Sequence, residues 1–115
     1  MPTPVPLDAG ASARPASAPA GHVPGVTELP FAKWQETFAQ SLTPHFLAAR
    51  ALLPAIADTA GASYTFINGS GAREGVAGAA ATCASAAAQL MLAQVLAAEH
   101  RDRAVRINAL VLETP

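Results

Sequence analysis

Tyr64-Thr65-Phe66-Ile67-Asn68, stopped at once by Gly69-Ser70-Gly71, decides the fold of this 115-residue chain. The run is too short for a helix, and its aromatic and β-branched residues are the kinds that pack on a pleated surface. Residues 64–68 therefore predict a buried strand, with the glycine pair opening a loop.

Working outward, residues 79–99 are dominated by alanine and unbranched side chains, which favour a helix. Val105-Arg106-Ile107-Asn108-Ala109-Leu110-Val111-Leu112 then predicts a second strand. Strands joined by a helix of about 20 residues cannot form a hairpin, so they are expected to lie parallel with a right-handed crossover. Glu99 and Arg103, four apart, predict a weak surface ion pair. Before the first strand, Phe31, Trp34, Phe38, Leu42 and Phe46 recur every three or four residues and continue through Leu52, Leu53 and Ile56. That spacing predicts one helix over 31–56, broken near Gln40 and Ser41 by Pro44 and ended by Pro54 and Gly61. The fold class is α/β, in the order helix, parallel strand, helix, parallel strand. Two parallel strands leave edges unpaired, so the unit reads as part of a larger sheet.

Composition divides the chain into two parts. Hydrophobic residues make up 51% and charged residues 13%, which is globular, yet seven of the ten prolines fall before residue 31. Residues 1–30 read as a disordered Pro/Ala-rich arm and 31–115 as the foldable unit. A net charge of −1 gives no basic footprint for nucleic acid and no polybasic stretch for an anionic membrane. Residues 76–98 carry no formal charge and are long enough to cross a bilayer, but they are mostly small and include Thr82, Ser85, Gln89 and Gln94, so a packed soluble helix is expected. Cys83 is the single cysteine and no Cys/His cluster has metal-ligand spacing, so neither a disulfide nor a metal is expected. A cytoplasmic location fits. Pro2, Pro4, Pro6 and Asp8 interrupt any export signal.

Four segments in order, Trp34…Leu42…Ala49-Arg50-Ala51-Leu52-Leu53-Pro54, Tyr64 to Ser70, Ala88-Gln89…Leu96-Ala97-Ala98-Glu99 and Val105 to Leu110, resemble the short-chain dehydrogenase/reductase superfamily. The resemblance covers residues 31–114 and implies the fourth helix, fifth strand, fifth helix and sixth strand of a Rossmann-type fold, making this chain a truncated or degenerate member. Asp8-Ala9-Gly10 resembles a worn form of the family's Asn-Ala-Gly motif.

The family moves hydride between NAD(P) and a carbonyl or alcohol, with a Ser/Tyr/Lys set handling the proton. A tyrosine hydroxyl transfers it, a lysine ammonium lowers the tyrosine pKa, and a serine holds the substrate oxygen. By resemblance Ser70 falls on the serine position. The family's interval then lands on Cys83 where tyrosine belongs, on Ala87 where lysine belongs, and on Ser41 where the helix-four asparagine belongs. Tyr64 is the only tyrosine and Lys33 the only lysine, so no Tyr-x-x-x-Lys can be drawn. The cofactor's Thr-Gly-x-x-x-Gly-x-Gly is likewise not in the sequence. Asn68, Gly69 and Thr114 fall on or near cofactor-contacting positions, although the run before Thr114 is short and lacks the family's Pro-Gly. A catalytically inactive chain is the resulting expectation.

Two other readings stay open. Gly69, Gly71 and Gly75 follow a strand and precede a helix, as a nucleotide-binding loop would, but they miss the G-x-G-x-x-G spacing. In relatives, the helices matching 31–56 and 79–99 pack on a second copy, so a homo-oligomer through those helices is the interaction-module reading. The remaining polar residues have plainer roles. His22, His45 and His100 lack partners at ligand spacing, Arg50 and Arg106 read as surface charges, and Asn68 and Asn108 are expected to bond neighbouring backbone across the sheet.

Overall fold

The structure, a computed structural model, describes residues 23–112. Of the proline-rich stretch, residues 23–30 are included and carry a short 3-10 turn at Val26–Glu28. The rest of the predicted arm, 1–22, lies outside the described residues.

The expected break falls one residue on, at Leu42, and separates two helices: α1 (Phe31–Ser41) and α2 (Thr43–Ile56). Pro44 has no N–H to give to the preceding turn, and the chain accommodates it by starting a new helix. Pro44 occupies the first turn of α2, where a missing donor leaves no bond unmade. The joint falls at Leu42, whose carbonyl accepts from the N–H groups of both His45 and Phe46. Pro54 does not terminate α2, which runs two residues further; so close to the end, the loss is confined to one backbone bond.

The strand β1 (Ser63–Gly69) and the strand β2 (Arg106–Leu112) pair in parallel, from Ser63 on Arg106 to Gly69 on Leu112. Between them runs α3 (Ala80–Glu99). Side chains alternate across a strand, and here only one face is sealed. Tyr64, Phe66 and Asn68 turn toward the helices, with Phe66 buried and its ring 5.2 Å from that of His45. Thr65, Ile67, Asn108, Leu110 and Leu112 turn outward and are exposed. The core lies beneath α2, where Ala49, Leu53, Ala57 and Val105 are buried and Tyr64, Leu96 and Ile107 pack around them.

The helix α3 sits low on the sheet because its inward stripe is small. Ala81, Ser85, Gln89 and Ala93, each four residues on from the last, are its buried positions. They allow close approach to β1, β2 and α1. By length and composition alone α3 is apolar enough to cross a membrane; in this fold its buried stripe carries a serine and a glutamine.

Backbone bonds and an ion pair fasten the start of β2 to the segment between α2 and β1. The Val105 N–H donates to the Ala57 carbonyl and the Arg106 N–H to the Ala62 carbonyl, both at 3.0 Å. Arg103 closes on Asp58 through two parallel bonds, Nε to Oδ1 at 2.6 Å and Nη2 to Oδ2 at 2.7 Å. This replaces the expected Glu99–Arg103 pair: α3 ends at Glu99, so Arg103 is no longer one helical turn away, and residues 101–104 carry it back toward α2. The guanidinium's hydrogen bonds, and secondarily its charge, hold the Asp58 carboxyl below its ordinary value of 3.8.

Two expectations follow. Gly78 has φ +85, and a Cβ there would overlap Val23 Cγ1. Gly78→Ala therefore combines backbone strain with a clash against the 23–30 segment. It is expected to lower stability by about 1–3 kcal/mol in urea titrations, while Gly75→Ala, with open space around it, changes the midpoint little. Because Asp58 is lowered in the folded state, stability from the Arg103 pair is full above the ordinary carboxylate value and is lost as pH falls below it. Arg103→Met should therefore flatten the acid limb of a stability–pH curve and leave its neutral-to-alkaline part parallel to that of the parent.

Candidate functional site

β1 delivers the chain into a 3-10 turn, Ser70–Ala72, that packs on α3. Gly71 lies against the helix closely enough that a Cβ at that position would stand 3.5 Å from Cys83 Sγ. The turn that opens with Ser70 thus lies beside the thiol at position 83. Cys83 is a half-buried free thiol, and Ala87, one turn further along the same helix face, is exposed.

Ser41 is not part of that group. It ends α1, and its hydroxyl meets the Thr37 carbonyl and, at 2.7 Å, Ser85 Oγ. Ser85 belongs to the inward stripe of α3, two residues from Cys83 and so nearly on the opposite side of the helix. Proton directions in this seam follow from the inventory of donors. The Ser41 hydroxyl hydrogen is taken by the Thr37 carbonyl, so Ser85 must donate to Ser41, and the Gln89 amide, at 3.4 Å, donates to Ser85. The result is a one-way chain from Gln89 through Ser85 and Ser41 to the backbone of α1, with Ser85 only 1% exposed. Sequence reasoning missed Ser85 and Gln89. The available signal was a serine and a glutamine four apart on an otherwise alanine-lined face.

Neither residue that could have rebuilt a proton relay is placed to do so. Tyr64 is on β1, packed against the α2 core with its ring 5.5 Å from that of Phe66. Lys33 is on the first turn of α1, with Nζ 3.5 Å from Glu36, and lines a cavity of about 410 Å³ at the start of α3 together with Thr37, Glu28 and Thr82. Asn68 corrects a prediction. The residue is 7% exposed, and Nδ2 has no hydrogen-bond partner: an even-numbered position on β1 projects into the helix layer, where no acceptor meets it. Asn108 bonds a side chain instead of backbone: its Oδ1 accepts from Thr65 Oγ1 at 2.7 Å, straight across the register pair. Thr114 and Asp8-Ala9-Gly10 lie outside the described residues. Among the described residues no three His, Cys, Asp or Glu side chains gather to hold a metal.

Helix, strand, helix and strand in this order, with the strands parallel and the helices on one face, define a partial Rossmann-like α/β unit. The family model for short chain dehydrogenase matches residues 16–113, so the chain belongs to the short chain dehydrogenase family. No curated protein matches the chain significantly.

NAD(P) is the cofactor that this family implies. A diphosphate is held where closely spaced glycines meet the N-terminus of a helix. Here Gly69 and Gly71 feed a 3-10 turn, and α3 opens only at Ala80, beyond Gly75. The bare face of Gly71, which a cradle would leave open to a phosphate, is turned to the Cys83 sulfur. The Gly69–Gly75 loop does not have the form of such a cradle.

The hydrogen-bonded seam makes a prediction of its own. Ser85→Ala leaves the Ser41 oxygen and the Gln89 amide facing each other without their bridge, and it should cost about 1–3 kcal/mol by chemical denaturation. In Cys83→Ser the side chain stays on the other side of α3 from the seam, and the variant should stay within about 1 kcal/mol of the parent.

Proposed function

We propose that this chain is a non-catalytic member of the short chain dehydrogenase family. The carrying observation is the juxtaposition at Gly71: the residue facing the Ser70 turn from α3 is the Cys83 thiol, with the methyl of Ala87 one turn beyond it. Proton transfer to a carbonyl requires a hydroxyl of suitable acidity and a cation that keeps it so. Here a thiol stands in place of the hydroxyl, and alanine stands where the cation belongs. The phenol and the ammonium that the chain does possess are spent on the core and on Glu36. With no cradle for the diphosphate among the described residues, hydride transfer has no donor held in place there. Binding of free nucleotide at the Gly69–Gly75 loop is disfavoured for the same reason. The test is NADH and NADPH oxidation by the pure protein over a panel of aldehydes and ketones. No turnover above background is the expected result, and turnover that disappears in Ser70→Ala overturns the reading.

A second reading has its own support. Phe46 and Leu47 on α2, and Met91 and Val95 on α3, are large, apolar and exposed. Between the two helices runs an apolar groove of about 540 Å³ lined by Leu42, Phe46, Ala88, Met91, Leu92 and Val95. Large exposed apolar stripes of this kind mark association surfaces. In this reading the chain is a helix-mediated homo-oligomer in the cytoplasm, with no nucleic acid, membrane or metal partner. Light scattering at micromolar concentration should give a dimer for the parent and a monomer for the Phe46→Asp/Val95→Glu double variant. A monodisperse parent monomer defeats this reading and leaves the first intact.

A further inference from the structure

No further inference is drawn: the strongest candidate, the apolar groove between α2 and α3 that reaches the polar end at Arg50, Glu99 and His100, belongs to the association surface already proposed, and nothing in the structure shows what else covers it.

Discussion

Parallel strands cannot be closed by a tight turn, and that constraint governs everything else in this molecule. Once Ser63–Gly69 lies alongside Arg106–Leu112, the intervening chain must leave the far end of one strand and travel back to the near end of the other. A helix is the shortest structure that does this with its own backbone bonds satisfied. The length of α3, its position over the sheet and the closeness of its alanine-lined stripe all answer to that return path. So do the fastenings at the far end. The bonds from Val105 to Ala57 and from Arg103 to Asp58 anchor the strand that the helix has just delivered.

How much of this could be read from the residues depended on the range of the interaction. Periodicity of three or four placed the helical stretch 31–56, alanine-rich propensity placed α3, and the aromatic and branched run placed β1, because these are properties of neighbours in sequence. Pro44 signalled a break, and the structure moved it to Leu42 because proline is harmless in the first turn of a new helix. The end at Ile56 matches the expected bound, and Pro54 is tolerated inside because its missing bond falls where the helix has almost finished. The parallel pairing was legible from helix length alone. That one face remains open was not, because a strand's alternation specifies two faces but not which of them finds a cover.

Interactions between distant residues were the ones missed. Nothing near Arg103 announces Asp58, and the local rule of four residues pointed to Glu99 instead. Ser41 was legible as an aligned position, but its use as the acceptor from Ser85 required knowing that α1 crosses α3 there. Asn68 shows the same limit. An asparagine on a strand ordinarily bonds the adjacent backbone, and here the pleat turns its amide into the helix layer, where no acceptor meets Nδ2. At the candidate site, residue identity carried most of the reading. The geometry contributed the contact between Gly71 and Cys83, and the separation of Ser41 from both.

Gly78 has an implication for how the polypeptide matures. Val23 packs where a side chain on Gly78 would otherwise stand, so the seat for the N-terminal segment does not exist until the start of α3 has been synthesised. Synthesis runs from the N-terminus, and Val23 leaves the ribosome long before its seat does. In the interval, α1 and α2 emerge with no sheet to lie on, because both β1 and β2 follow them in the chain. Consolidation of this unit therefore awaits β2, and a nascent chain stalled before Arg106 holds helices without a paired sheet beneath them.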